Sequence, residues 1–278
     1  MMENLETTAQ SQMIDLPAGR FHYRSWGAER TDLPGMVLLH GITSSAQSWV
    51  RVGPALADRY RVYALDLRGH GMSIKPSPGE YSLRQTADDA VAFIEALDLQ
   101  RPVLMGHSWG GATAITVASG AWSQKPAPQL SHLILEDPAL YLGRGNPEAR
   151  AANYTRDIGR PAHELRVEIA ANNPGWTEAD IEGKIEALQQ VSRESVVSIF
   201  AEASQGGSLL PRLADIVAPT LLIRADAALG TILDDAIWQQ AQQFLPPGSR
   251  AVETSGATHN VHRSQFPAFM QVVNAFLG

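Results

Sequence analysis

The chain has 278 residues, of which 44% are hydrophobic and 18% charged. This length suits one large α/β domain, and the composition is that of a globular protein rather than a disordered one. The formal net charge of -7, without a visible cluster of basic residues, argues against nucleic-acid binding. Because the chain has no cysteine, a thiol nucleophile, a disulfide and a cysteine-ligated metal are all excluded.

The first fifteen residues, MMENLETTAQSQMID, are polar and acidic. They lack the basic start and the apolar core of a signal peptide. No apolar run approaches the ~18 residues that a membrane span needs. We therefore predict a cytoplasmic protein that does not bind membranes.

Short apolar runs bounded by turn residues alternate with helical patterns along the chain. The stretch SQMIDLPAGRFHYRSW has the alternation of an antiparallel hairpin with its turn near residues 17–19. Six later runs follow, at residues 35–41, 61–67, 102–108, 131–137, 219–226 and 250–256. The alternation with helices predicts a largely parallel sheet of about eight strands.

Residues 139–213 have no strand-like run but several helical patterns. We interpret them as a helical cap on an α/β core formed by residues 1–138 and 214–278. Four aromatic residues of this cap are candidates for lining a substrate pocket: Tyr141, Tyr154, Trp176 and Phe200. Its repeated arginines are typical of a solvated helix face: Arg144, Arg150, Arg156, Arg160 and Arg166.

The segment GHSWG at residues 106–110 matches the pattern G-x-S-x-G. It follows the apolar run PVLM and precedes the small-residue pattern GATAITVAS, so Ser108 is predicted to lie in a tight turn between a strand and a helix. Glycines at both ends allow such a turn, and the helix N-terminus favours negative charge. Ser108 is therefore the predicted nucleophile.

A second element is LLHGITSS at residues 38–45. The loop after this strand can direct a backbone N-H, that of Ile42, towards an oxyanion beside the N-H of Trp109. His40 is interpreted as structural.

Together, HGITSS, DLRGHGMS, GHSWGG and the late GATHNVHR resemble the α/β-hydrolase superfamily over nearly the whole chain. The resemblance implies an eight-stranded, mostly parallel sheet with a helical cap inserted after the sixth strand. It also implies that the catalytic residues occur in the order serine, acid, histidine. Arg68 and His70 lie in a turn of that family and are interpreted as structural.

His259 lies where the resemblance places the histidine, and we predict it to be the general base. His262 follows three residues later, but two histidines alone do not complete a metal site, and no acidic or cysteine partner is nearby in sequence. No metal or cofactor is predicted.

The acid is harder to identify. Most members that the chain resembles carry it in a G-x-x-D segment after the strand before the last, where this chain has Ala225, Asp226, Ala227 and Ala228. Some members, including haloalkane dehalogenases and the lactonase acting on zearalenone, carry it after the sixth strand instead, and the lactonase's Glu-x-Pro resembles residues 136–138. Neighbouring side chains of a strand point to opposite faces, so only one of Glu136 and Asp137 can reach His259. Glu136 is the preferred acid, with Asp226 and Asp137 as alternatives.

These residues predict a serine hydrolase that cleaves a carboxylic ester or lactone of a small molecule through an acyl-enzyme. Serine at the turn argues against dehalogenase and epoxide-hydrolase chemistry, which in this superfamily uses a carboxylate nucleophile. The same three residues also serve amide and carbon-carbon bond hydrolysis. Two other readings stay open: a non-catalytic small-molecule-binding protein, and a cofactor-independent dioxygenase or lyase that uses only the base.

Overall fold

The structure is a computed structural model that describes residues 9–121, 126–204 and 206–278. Within these ranges it has eight strands: β1 (Gln10–Leu16), β2 (Gly19–Trp26), β3 (Gly35–Leu39), β4 (Arg61–Leu65), β5 (Val103–His107), β6 (His132–Glu136), β7 (Thr220–Arg224) and β8 (Arg250–Glu253). The prediction that the first fifteen residues are not a signal peptide falls partly on residues 1–8, which lie outside the described residues.

The strands form one sheet in the order β1-β2-β4-β3-β5-β6-β7-β8. β1 and β2 form the predicted antiparallel hairpin, and β2 also pairs antiparallel with β4. The remaining pairs are parallel. Parallel neighbours require crossover connections, which helices provide here. The predicted fold class, an α/β-hydrolase fold with a mostly parallel eight-stranded sheet, is confirmed.

The described ranges contain ten α-helices: α1 (Val52–Leu56), α2 (Leu83–Ala96), α3 (Trp109–Ser119), α4 (Pro147–Thr155), α5 (Ala162–Asn172), α6 (Glu178–Gln190), α7 (Arg193–Ala203), α8 (Asp235–Gln243), α9 (Val261–Ser264) and α10 (Phe266–Leu277). Two short 3-10 helices cover Ala46–Trp49 and Leu210–Asp215. Among these helices none is long and apolar enough to cross a membrane.

The central strands are buried on both faces, which explains their continuous apolar sequences. Alternate residues of one strand enter different cores: Val37 and Leu39 pack with α2 and α3, whereas Met36 and Leu38 pack with α1 and α10. This separation follows from the two-residue period of a strand. Because the strands run parallel, the carboxyl ends of β3, β5, β6, β7 and β8 meet at one edge of the sheet.

Helices α4 to α7 all lie between β6 and β7, in the segment predicted as a cap. We refer to residues 139–213 as the helical insertion. Its base is joined by an isolated bridge between Tyr141 and Ser208. Polar side chains cap the starts of three of its helices, as helix N-termini require: Asn146, Thr177 and Ser192. The exact division of the chain into core and cap stays a prediction.

The two edges of the sheet are mainly polar. β1, at one edge, exposes Gln10, Ser11 and Asp15, with Met13 as an exposed apolar residue. β8, at the other edge, has four residues, and its charged ends, Arg250 and Glu253, are exposed.

Candidate active site

Ser108 connects β5 to α3 in a strained turn. Its φ of 53° and ψ of -114° are rare for a residue with a side chain. The flanking glycines are required by space, because a Cβ at Gly106 would collide with the backbone of Gly110, and a Cβ at Gly110 with that of Leu39. This turn presents the Ser108 side chain at the carboxyl edge of the sheet and at the first turn of α3.

The end of β6 holds the serine turn in place. The N-H of Ser108 donates to the carbonyl of Glu136 at 3.0 Å, and the carbonyl of Ser108 accepts from the N-H of Ala139 at 3.1 Å. The backbone of the turn is thus bonded directly to the strand end that carries the two candidate carboxylates.

His259 lies in the loop between β8 and α9. Its Nδ1 is 2.6 Å from Oδ2 of Asp137. The imidazole is 22% exposed, whereas the Asp137 side chain is fully buried. An Nδ1-H that donates to a carboxylate leaves Nε2 free to accept a proton.

Further donors from the loop after β7 surround the Asp137 carboxylate. Thr231 Oγ1 donates to Oδ1 at 2.5 Å, and the N-H of Ile232 donates to Oδ2 at 3.1 Å. A longer bond, 3.4 Å, comes from the N-H of Ala225. These bonds fix the carboxylate in place and compensate for its burial.

The preference for Glu136 as the partner of His259 is corrected by this geometry. Glu136 is fully buried and instead accepts from Nδ1 of His262 at 2.8 Å and from the N-H of His262 at 2.9 Å. The alternation of side chains places the two neighbouring acids on opposite sides, as expected, but Asp137 is the one on the side of His259. Burial raises the pKa of Glu136 and holds the pKa of His262 well below its usual value.

Asp226, the second alternative, does not contact His259 either. Its carboxylate accepts from the N-H of Gly256 at 2.8 Å and from the N-H of Ala228 at 2.9 Å. These backbone hydrogen bonds lower the pKa of Asp226. The side chain closes two loops at the sheet edge, which is an ordinary role for aspartate in a turn.

The loop after β3 approaches the serine closely. A Cβ at Gly41 would lie 3.1 Å from Cβ of Ser108. Ile42 and Trp109, the predicted oxyanion-hole residues, both line a cavity together with Ser108. Trp109 is the first residue of α3, where backbone N-H groups have no acceptor within the helix. His40 is buried and accepts from the N-H of Leu67 at 3.0 Å, which agrees with a structural interpretation.

One residue of the site was not assigned a role from sequence. His107 is buried, its ring centre is 4.6 Å from that of His259, and its Nε2 donates to the carbonyl of His259 at 3.0 Å. Burial keeps the pKa of His107 well below its usual value, so this side chain is a neutral hydrogen-bond donor at neutral pH. His107 occupies the position before the serine where the G-x-S-x-G pattern accepts any residue, so the pattern did not predict this contact.

The cavity beside Ser108 has a volume of about 300 Å³. Core residues form one part of its wall, and the helical insertion forms another, with Tyr141, Tyr154 and Phe200 among its lining residues. Trp176, the fourth candidate aromatic, packs instead near Leu165 and under the guanidinium of Arg263. The cavity can hold a small, partly apolar molecule with the serine in its wall.

A metal site is not formed by the side chains described. In residues 9–121, 126–204 and 206–278 there is no group of three or more histidine, aspartate or glutamate residues placed to hold an ion. His259 and His262 bind two different carboxylates.

An eight-stranded sheet, a serine in a strained strand-to-helix turn and a histidine bonded to a buried aspartate define a hydrolase of the α/β class. The chain matches the model of the alpha/beta hydrolase family over residues 36–271, and it belongs to that family. The predicted resemblance is thereby confirmed.

Curated relatives include hydrolases of small molecules. The chain is 37% identical to 2-(acetamidomethylene)succinate hydrolase of Mesorhizobium japonicum, over 90% of both chains. It is 37% identical to N-formylmaleamate deformylase of Pseudomonas putida, over 65% of both chains. Epoxide hydrolase 3 of Xenopus tropicalis is 26% identical, over 93% of this chain and 74% of the relative.

Solved structures share the fold. A crystal structure of E-2-(acetamidomethylene)succinate hydrolase superposes with a TM-score of 0.80 at 20% identity, covering 97% of this chain and 99% of the other. The enol-lactonase of Burkholderia xenovorans gives a TM-score of 0.76 at 24% identity, covering 96% and 99%. These likenesses show the shared fold, and the family model and the curated relatives identify the chain as a hydrolase of the α/β-hydrolase kind.

Proposed function

We propose that the protein is a serine hydrolase in which Ser108 is the nucleophile, His259 the general base and Asp137 the acid that orients the base. The observation that carries this proposal is the 2.6 Å bond between His259 and Asp137 at the sheet edge that also presents Ser108. The role first assigned to Glu136 or Asp226 passes to Asp137, because the other two carboxylates have different partners.

In the proposed mechanism, Nε2 of His259 takes the proton of Ser108 as Oγ attacks the acyl carbon. The backbone N-H groups of Ile42 and Trp109 stabilise the oxyanion that forms. His259 then gives its proton to the leaving group, and a water molecule activated by the same histidine releases the acyl group from Ser108.

The proposed substrate class is a carboxylic ester or lactone, and the lactone is supported by the enol-lactonase, a protein of the same fold. Hydrolysis of an amide is the second candidate. It is favoured by the two relatives at 37% identity, because the substrates after which both enzymes are named contain an acylated nitrogen. A cytoplasmic location stays a prediction from sequence.

The test compares 4-nitrophenyl esters, simple lactones and N-acyl amides as substrates of the wild type and of three variants. We expect Ser108→Ala to lose activity and Asp137→Asn to lose about 10³ to 10⁴ in kcat, the usual effect of losing the residue that orients the base. Asp226→Asn is the matched control, since this acid lies outside the site.

Full activity in Ser108→Ala would refute the serine mechanism in favour of base-only chemistry. A wild type that binds a small molecule but hydrolyses none of these substrates would favour the non-catalytic reading.

A further inference from the structure

Two arginines are the charged residues that line the cavity beside Ser108: Arg144 and Arg150. The chain as a whole has 29 acidic and only 22 basic residues, yet among the described residues no acidic side chain lines this cavity. The rest of its wall is mainly apolar, with Ile42, Trp109 and Phe200 as examples. The cavity is therefore positively charged within a negatively charged protein, which selects for anionic ligands.

The two arginines differ in how their charge is balanced. Arg144 is 57% exposed and binds Asp234 at 2.9 Å. The other arginines that the sequence grouped on the helical insertion also pair with acids at the surface: Arg156, Arg160 and Arg166. Within the described residues Arg150 forms no ion pair, so its charge is free to meet a ligand.

Arg150 is nevertheless held in place. One terminal nitrogen donates to the carbonyl of Leu142 at 3.1 Å and to that of Arg144 at 3.2 Å. Its guanidinium carbon lies 4.7 Å from the centre of the Phe200 ring. These contacts use one nitrogen and one face of the guanidinium, and they leave the other N-H donors available for a carboxylate, which a guanidinium binds with two parallel hydrogen bonds.

Tyr154 lies four residues after Arg150 on α4, hence on the same face of the helix. It lines the cavity and its ring packs 5.0 Å from that of Phe200. Within the described chain its hydroxyl has no hydrogen-bond partner. Burial raises the pKa of Tyr154, so the hydroxyl is a protonated donor at neutral pH.

We propose that Arg150 and Tyr154 form an anchor for a carboxylate of the substrate. This inference rests on the proposed function: the same molecule presents its acyl carbon to Ser108, so the substrate is a small acyl compound that keeps a free carboxylate at a distance from the bond that breaks. A cavity of about 300 Å³ suits a short aliphatic or cyclic compound of this kind.

The first experiment compares mono-4-nitrophenyl esters of dicarboxylic acids, from adipate to suberate, with 4-nitrophenyl esters of neutral acids of matched length. We expect the wild type to favour the carboxylate-bearing ester by at least ~30-fold in kcat/KM at one or more lengths, mainly through KM, because two charge-assisted hydrogen bonds are gained. In Arg150→Met this ratio falls to about 1, and in Tyr154→Phe it falls in part.

Arg156→Met is the matched control, since this arginine lies at the end of α4 and outside the cavity. It should keep the wild-type ratio. Arg150→Lys keeps the charge but not the paired geometry, and it should retain part of the preference. Circular dichroism and urea unfolding verify that each variant is folded.

A wild type that hydrolyses both ester series without preference would overturn the carboxylate anchor but leave the serine hydrolase intact. Retention of the preference in Arg150→Met would overturn it too. If neither ester series is hydrolysed, the proposed ester hydrolysis fails, and calorimetric binding of adipate and suberate to Ser108→Ala and to Ser108→Ala/Arg150→Met still tests the anchor. The anchor is then supported only if Ser108→Ala binds at least one of the two diacids and the double variant does not.

Discussion

At Asp137 the backbone has a φ of 38°, a left-handed value that costs a residue with a side chain roughly 1–3 kcal/mol. It follows directly on the last residue of β6, Glu136, whose carboxylate binds His262. The two adjacent acids thus hold His259, in the loop after β8, and His262, in α9 three positions later. The doubled charge at the end of a buried strand is explained by these two partners.

The two acids should respond differently to neutralisation. Glu136 contacts His262, whose Nε2 lies 3.0 Å from Ser48 Oγ, and none of these three residues lines the cavity. We expect Glu136→Gln to lower kcat less than ~10-fold. Asp137→Asn should lower kcat by a further factor of about 10² or more relative to Glu136→Gln. Glu136→Ala leaves His262 without its partner and should lower the free energy of unfolding by about 1–3 kcal/mol.

Steady-state kinetics and urea unfolding of the three variants test this difference. Equal losses of kcat in Glu136→Gln and Asp137→Asn would contradict the assignment of separate roles. Glu136→Ala with wild-type stability would show that the His262 contact does not support the loop.

The sequence predicted which chemical groups form the site but not every contact between them. Ser108 and His259 lie in motifs with a fixed place in the fold. The period of a strand shows that Glu136 and Asp137 diverge, but it does not tell which one faces His259. That depends on the backbone turn at Asp137 and on donors from Thr231, which is distant in sequence.

Among the elements, the turn from β5 to α3 depends most on small side chains. Gly111 is the third residue of α3. A Cβ at this position would lie 2.7 Å from Cβ of Pro138, which follows shortly after β6. The start of α3 therefore packs directly against neighbouring strand ends. The small-residue sequence after the serine serves this close approach as well as the turn itself.

A lysine of the helical insertion forms hydrogen bonds with the loop after β3. Nζ of Lys184, on α6, donates to the carbonyl of Thr43 at 2.7 Å and to its Oγ1 at 2.8 Å. Thr43 has a φ of 56° and follows Ile42, whose N-H we assign to the oxyanion. A side chain of the insertion thus fixes the strained loop to which we assign an oxyanion donor.

We expect Lys184→Met to lower kcat about tenfold with a smaller change in KM, because a displaced oxyanion donor acts on the transition state more than on substrate binding. Lys75→Met is the matched control: its ammonium also donates to backbone carbonyls, those of Gly71 and Ser73, but not to this loop. Stopped-flow or steady-state ester hydrolysis measures both. Equal effects of the two substitutions, or no effect of the first, would contradict the coupling.

Strands and helices were largely predictable from periodicity, but their ends were not. The predicted run at 131–137 ends as a strand at Glu136, and that at 219–226 ends at Arg224. The last residues of these runs leave the ladder and form loops at the carboxyl edge, where Asp137 binds His259 and Asp226 binds the backbone of neighbouring loops. Contacts such as that of Lys184 with Thr43 join residues 141 positions apart, which no local pattern records.

Across the whole molecule, five of the eight histidines are buried: His22, His40, His70, His107 and His262. Burial lowers the pKa of His70 to about 3. Its Nδ1 donates to the carbonyl of Arg68 at 3.0 Å, and its buried Nε2 has no hydrogen-bond partner among the described residues. A proton added to Nε2 would place a buried charge without an acceptor.

This burial predicts a loss of stability in acid. His70 has a folded-state pKa of about 3 and an unfolded-state pKa of about 6.5, so between these values only the unfolded chain takes up the proton. Stability therefore falls as the pH drops from about 6.5 towards 3. In His70→Gln this proton uptake is lost. The slope of the unfolding free energy against pH should therefore be smaller than in the wild type by about 1.4 kcal/mol per pH unit, the contribution of one proton.

Urea unfolding at several pH values between 4 and 6 measures this slope. His163→Gln is the control, because His163 is exposed on α5 and stays in water in both states. A slope in His70→Gln equal to that of the wild type would contradict the account.

The mainly polar edges of the sheet affect the tendency of the folded protein to aggregate at high concentration. An unpaired strand edge is a template on which a second chain can add a strand and begin an aggregate. Here one edge offers only four residues, ending in the opposite charges of Arg250 and Glu253, and the other exposes Gln10, Ser11 and Asp15 around one apolar residue, Met13. Because neither edge presents a long apolar ladder, we expect the folded protein to resist strand-by-strand polymerisation at high concentration.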